Sequence, residues 1–199
     1  MENPGEMEAA EALAWLVLNR LHGIAGKRCW RLVERFGSAR AALAAGEKDW
    51  EEVLEPGPRW QRPGEADCQW AADQWRLSQD HGAALLTMGE GAYPGLLREI
   101  AQPPPLLFVL GHKPLPEPAV AIVGPRRASE YGLQVAYELA RGLAREGVCV
   151  VSGLAAGVDA AAHRGALDGG GKTLAVLGCG VDVIFPAENR SGQPATSSP

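Results

Sequence analysis

Cysteine, positive charge and long apolar runs are all scarce in this sequence, and each shortage removes a class of protein. The four cysteines, Cys29, Cys68, Cys149 and Cys179, form no CxxC pair and have no histidines at zinc-finger spacing. Neither a structural zinc site nor a disulfide framework is indicated, and free thiols in a reducing cytoplasm are expected. No metal or cofactor is expected either. No apolar run approaches the ~18 residues of a membrane span. Acidic Glu2, Glu6 and Glu8 stand where a signal peptide carries basic residues, so the sequence predicts a soluble, cytoplasmic protein without membrane contact. Nineteen Lys and Arg against 24 Asp and Glu leave a formal net charge of -5. That balance excludes nucleic-acid binding by bulk charge, and any such site has to be local and built from a few placed groups.

What is present is a chain able to fold. Its 199 residues are 46% hydrophobic and 22% charged, which suits one α/β domain with a smaller appendage. The organising stretch runs from Ala119 to Asn189 and holds two glycine-punctuated turns, Val123-Gly124-Pro125-Arg126-Arg127-Ala128-Ser129 and Ser152-Gly153-Leu154-Ala155-Ala156-Gly157-Val158-Asp159. The apolar runs Val120–Val123, Val148–Val151 and Thr173–Leu177 read as buried parallel strands. Between them, Leu133, Ala136, Tyr137, Ala140, Leu143 and Ala144 share one helical face, and a second, alanine-rich helix starts at Val158 or Asp159. Right-handed crossovers make this half of a doubly wound sheet, with both turns on one edge. Backbone N–H groups and helix N-termini gathered there predict a phosphate or nucleic-acid site.

The residue types suggest roles. Gly124 removes a Cβ where a ligand or backbone comes close, and Arg126 offers a planar fork for phosphate. Ser129 either caps the next helix or adds a hydroxyl to the same oxygens. Ser152, Gly153 and Gly157 allow a cradle of amides. Asp159 reads either as an N-cap or as a group orienting Arg126 or a ribose hydroxyl. With His163 it also invites an acid/base reading, against a structural hydrogen bond. Gly169-Gly170-Gly171-Lys172-Thr173 imitates the end of a Walker A loop, but Ala166 replaces its first glycine and the element order is reversed. Lys172 stays a candidate backbone contact. Gly124-Pro125-Arg126 is not G-x-G-x-x-G, which argues against a nicotinamide enzyme.

Upstream, residues 1–55 read as a helical module. Its helices are expected at Glu8–Asn19, Lys27–Phe36 and Ala39–Ala45, the first two flanking a hairpin bracketed by Gly23 and Gly26. Helix, Gly-x-x-Gly and helix resemble the helix-hairpin-helix modules that hold DNA backbones, with Lys27, Arg28 and Arg31 to serve it. The same pattern also makes an ordinary tight connection between packed helices. Prolines and glycines over 56–64 predict a linker. Residues 65–118, with a helix at Asp67–Gln79, a short helix after Pro94 and strands at Ala83–Met88 and Leu106–Leu110, are expected to extend the main sheet.

Three motifs in order, Ala121 to Ser129, Val151 to His163 and Ala175 to Asn189, resemble the bacterial DNA-processing protein A (DprA/Smf) family, as do Tyr93 to Ile100 and Pro103-Pro104-Pro105. The resemblance implies a helical, SAM-like module before an extended Rossmann-like domain that binds single-stranded DNA. It implies protection of incoming DNA and loading of a RecA-type recombinase during natural transformation, as a dimer and without catalysis. Carried over by position, Gly124, Arg126, Ser152, Gly153 and Gly157 line the DNA phosphate pocket, with Lys172 beside them. Three features depart from the pattern. Pro125 stands where serine or threonine is usual, Ala156 replaces a larger or polar residue, and the family pattern continues beyond Asn189 while residues 191–199 read as a disordered tail. The expectation is a first half of the core over 119–190, of marginal stability and weak DNA binding. The alternatives are a non-functional fragment or a phosphoribohydrolase-type enzyme, whose Pro-Gly-Gly-x-Gly-Thr-x-x-Glu stretch does not occur here.

Overall fold

The computed structural model describes residues 4–24, 26–54, 57–111 and 116–183, which leaves the end of the third motif and the tail outside it. The chain divides into two compact units, Met1–Leu115 and Pro116–Pro199. Among the described residues no helix is long and apolar enough to cross a membrane.

The first unit is helical with a small sheet. It contains α1 (Pro4–Arg20), α2 (Lys27–Phe36), α3 (Ala39–Ala44), α4 (Glu47–Leu54), α5 (Glu65–Asp80), β1 (Ala84–Thr87), α6 (Gly95–Glu99) and β2 (Leu106–Val109). Their ends follow local chemistry. Gly37 takes the left-handed conformation (φ 83°) after α2 and returns its N–H to the Val33 carbonyl. Ser38 caps α3 by accepting the Ala41 N–H at 3.0 Å, while the Glu11 carboxylate accepts the amides of Ala39 (2.6 Å) and Arg40 (3.1 Å). Helix α4 has no counterpart in the sequence reading, which ends the last helix of this module at Ala45, before Gly46. Here Asp49 reaches back to the Gly46 N–H at 2.9 Å, so the same glycine begins a helix. Its Trp50 and Leu54 are buried, and the Trp50 indole donates to the Ala42 carbonyl at 2.6 Å. Cys29, in the same core, has its thiol pushed up to about 12 by burial and is chemically quiet.

Two expectations change here. Residues 57–64 lack helix and strand, as their prolines require, but they do not separate two units. Trp60 packs on Trp50 with ring centroids 5.3 Å apart, and Arg62 lies over Trp50 while donating to the Leu43 carbonyl at 2.9 Å. Strands β1 and β2 do not extend the parallel sheet. They pair antiparallel with each other, Ala84 opposite Val109 through Thr87 opposite Leu106. Their Leu86, Leu106 and Val109 enter the same apolar cluster as Leu16, Leu18 and Leu32, so burial holds them with the helices.

The second unit contains β3 (Ala119–Ala121), α7 (Glu130–Arg145), β4 (Cys149–Ser152), α8 (Val158–Asp168) and β5 (Thr173–Ala175). The three strands are parallel in the order β3-β4-β5, with Val120 beside Val150 and Val151 beside Leu174. This is the expected Rossmann-like half-sheet. Both crossover helices lie on one face, where Ala136, Ala140, Ala144, Ala162 and Ala166 meet Ile122 and Val150. The alanine spacing lets α7 and α8 approach closely. Gly165 belongs to that contact, because a Cβ there would collide with the Tyr137 backbone. Elsewhere on the unit Val123 and Val176 are 74% and 61% exposed.

Arg28 is the clearest test of how the first unit is held. Its guanidinium donates to the carbonyls of Gly23 (2.5 Å), Pro58 (2.8 Å) and Leu54 (2.7 Å). Arg28→Met should leave these carbonyls unpaired and cost about 2–4 kcal/mol, lowering the midpoint of thermal unfolding. Lys27→Met, at an exposed neighbour, should leave the midpoint unchanged.

Candidate functional site

The carboxyl ends of β3 and β4 deliver the two glycine turns to one sheet edge, where they lock onto each other. Gly157 has φ 87° and lies so close to the first turn that a Cβ would sit 2.5 Å from the Arg126 carbonyl oxygen and closer still to that of Pro125. A Cβ on Gly124 would stand 2.8 Å from the Val158 side chain. The Val158 N–H donates to the Pro125 carbonyl at 3.4 Å. Both glycines therefore serve turn-against-turn packing. Of the two options the sequence left open at Gly124, ligand or backbone, the close neighbour is protein, and Gly157, read as part of an amide cradle, packs on the first turn.

The remaining polar groups are tied inward as well. Ser152 is buried, and its hydroxyl donates to the Ile122 carbonyl at 2.6 Å, joining the ends of β4 and β3. It is a strand tie, its hydroxyl proton spent on the Ile122 carbonyl. Asp159 is neither an N-cap nor a partner drawn to Arg126. Gly157 occupies the cap position of α8, and the Asp159 carboxylate accepts the N–H groups of Gly153 at 3.2 Å and Ala155 at 3.4 Å. The expected amide cradle is thus partly filled by the protein's own anion. That clamp also supports Leu154, a non-glycine residue at φ 58°. Ser129 is the N-cap of α7, accepting the Gly132 N–H at 3.2 Å.

Arg126 and Arg127 remain at the surface of the first turn. Arg127 is the residue that sequence reasoning passed over. The sequence reading gives it no role, although an Arg-Arg pair between a strand and a helix N-terminus is itself a signal for anions.

Lys172 lies elsewhere. It precedes β5, its carbonyl accepts the Val150 N–H at 3.1 Å, and its charge acts on Cys149 at the start of β4. In a parallel sheet this is the edge opposite the turns, so Lys172 cannot join them at one phosphate. The hairpin glycines of the first unit are also covered. A Cβ on Gly23, at φ 76°, would strike the Arg59 carbonyl, and one on Gly26, at φ 54°, would stand 3.3 Å from the Pro103 carbonyl. At both glycines this is the tight structural connection, with neighbouring backbone standing where a DNA backbone would approach. Of Gly23, Gly26 and Lys27, only Lys27 is exposed.

Asp159 and His163 do not form an acid/base pair. His163 is buried, with Nδ1 2.6 Å from the Thr173 hydroxyl, and that hydroxyl donates to the Val150 carbonyl at 2.8 Å. The Thr173 proton is therefore committed, so Nδ1–H must be the donor to it. Nε2 is buried without a partner among the described residues. Burial pushes the imidazole below its ordinary value, against a smaller opposite pull from Asp159.

Two outcomes follow from this geometry. Gly157→Ala should destabilise the second unit by about 1–3 kcal/mol, from the left-handed backbone and the collision with the first turn; urea unfolding measures it. Folded His163 takes up its proton at a lower pH than an unfolded imidazole, which binds one below a pH of about 6.5. Its contribution is therefore complete above that pH and lost as the pH falls below it. His163→Asn should flatten the decline in urea midpoint between pH 7.5 and 5.5.

Residues 84–197 match the family model described as DNA recombination-mediator protein A. The chain is 42% identical over 117 residues to Protein Smf of Synechocystis, a match covering 56% of this chain and 29% of that protein. It is 46% identical over 102 residues to DNA processing protein DprA of Streptococcus pneumoniae, covering 51% of this chain and 36% of the relative. The crystal structure of DNA processing protein A from Streptococcus pneumoniae superposes with a TM-score of 0.63 at 28% identity, over 96% of this chain and 63% of that one. The chain thus spans well under half the length of these two curated relatives. With strand order, glycine turns and family match in agreement, the chain belongs to the DNA recombination-mediator protein A family.

Proposed function

We propose that this protein binds single-stranded DNA at the carboxyl edge of its parallel sheet. The observation that carries the reading is the exposure of Arg126 and Arg127 on a turn whose backbone is held by the Gly124 and Gly157 contacts. A rigid turn presents both guanidinium groups at the edge where α7 and α8 begin, and helix N-termini favour anions. The family description and the relatives' names supply the DNA and the recombination context. In this reading the sheet edge grips successive phosphates and leaves the bases open. A strand held in that way can be handed to a RecA-type recombinase during DNA uptake. In this reading the protein acts in the cytoplasm, and dimerisation is part of what the family resemblance implies. It performs no catalysis in this reading: the Asp159 carboxylate is given to the amides of Gly153 and Ala155, and Nδ1 of His163 is bound to Thr173.

The test is fluorescence anisotropy of a labelled oligo-dT over a range of salt. Binding should be weak at physiological salt and tighten as salt falls. Arg126→Ala with Arg127→Ala should flatten the slope of log affinity against log salt by about 0.7 for each phosphate that is no longer neutralised. Unchanged affinity and slope in the double variant would overturn the assignment.

A further inference from the structure

The first unit carries a groove that the proposed site does not use. It encloses about 530 Å³ and is lined by Lys27, Trp30, Arg31 and Glu34 of α2, by Met88 and Gly89 after β1, and by Arg98 of α6. That volume lies within the range of sites for small molecules. Three cations face one carboxylate in a protein whose net charge is -5. The local sign is therefore opposite to the global one, which marks the place as selective for anions.

The groove also has an aromatic floor. Trp30 stacks on the buried Trp15, with centroids 6.4 Å apart and planes inclined by 20°. The edge of its ring approaches Gly89, where a Cβ would stand 3.4 Å from Cζ3. A larger residue at 89 would press on the indole. Arg98 is fixed beside it: Nη2 donates to the Glu90 carbonyl at 2.5 Å, and the guanidinium lies 5.6 Å from the Tyr93 ring centre. Its Nε is buried with no partner among the described residues, a donor that the protein leaves unused. Lys27 and Arg31 are exposed and make no ion pair among the described residues. Such cations cost little to move onto a ligand.

We propose that this groove is a second contact for single-stranded DNA, with one base against Trp30 and the flanking phosphates on Lys27, Arg31 and Arg98. Sequence-tolerant strand binding needs an aromatic platform beside cations, and these residues supply both. The two turns themselves, Val123–Ser129 and Ser152–Asp159, hold arginines and no aromatic residue; an exposed ring, Tyr131, follows in the first turn of α7. The proposal rests on the reading that the protein binds single strands, and adds a site on a different unit.

The experiment uses the full chain and an oligo-dT carrying 5-bromodeoxyuridine. It is irradiated, and adducts are mapped by mass spectrometry. Adducts are expected both on the Arg28–Glu34 segment and near Arg126. Lys27→Glu with Arg31→Glu, two exposed positions, should abolish the first adduct, spare the second and weaken affinity by about fivefold or more. Unchanged circular dichroism and melting would show that these variants fold. Arg126→Ala with Arg127→Ala should do the reverse to the adducts. An adduct near Arg126 alone, with the charge reversals silent, overturns the second contact and leaves the sheet-edge reading intact. Equal labelling of the groove by the bromodeoxyuridine mononucleotide would assign it to free nucleotides and overturn the strand contact. No adduct at either place overturns both.

Discussion

The second unit depends on the contact between its two glycine turns. Where Gly157 lies against the Pro125 and Arg126 carbonyls, no side chain fits, and the distance between the ends of β3 and β4 is set by backbone against backbone. Ser152 reinforces the same joint through the Ile122 carbonyl. The Asp159 carboxylate completes it from the other side by collecting the amides of Gly153 and Ala155. A loop that in a phosphate-binding fold would lend its N–H groups to a ligand has here used several of them internally. The chemistry left for an anion is consequently borne by side chains, and that shifts the weight of recognition to arginines.

The first unit treats its charged residues in the same way. Arg28 sits within a basic run that reads as a DNA-facing surface, yet it joins three carbonyls, one from the hairpin, one from the last residue of α4 and one from the segment after it. Glu11 caps a helix distant in sequence. Asp67 accepts the Gly64 N–H and pairs with Arg20 at 3.0 Å, and the backbone hydrogen bond is the main reason that its carboxyl lies below the usual range. A charge within the helical module is therefore no guide to a ligand until its partners are known. Lys27 and Arg31 stand out because Arg28, between them, has been taken by the fold.

Much of the architecture was legible in the sequence. The helix over Lys27–Phe36 ends where Gly37 turns left-handed, and the alternation of apolar runs and glycine turns revealed the parallel half-sheet. What failed to show were the contacts that decide a residue's job. Gly46 reads as a helix stop and serves as a helix start, because the outcome depends on an Asp49 carboxylate. Ser152 reads as a ligand and is a tie, since its neighbour Ile122 comes from another strand. Lys172 follows the turns closely along the chain but stands at the opposite edge of the sheet. Spacing reports which element a residue occupies, while its partners depend on strand register and on the depth of burial.

The same reasoning bears on how an acidic protein holds a polyanion. Exposed charges interact over roughly 8 Å at physiological salt, so the net charge of -5 sets only a weak repulsive background. Against that background a pair of arginines on a rigid turn acts at close range, where guanidinium and phosphate share direct hydrogen bonds. Phosphate contact alone favours duplex and single strand alike, and discrimination needs a surface that only unstacked bases can use. The residues of the two turns themselves carry no aromatic ring. Trp30, backed by Trp15 and flanked by cations, offers such a surface, and a strand that reached it would gain from a contact that a duplex, with its bases stacked inside, cannot make.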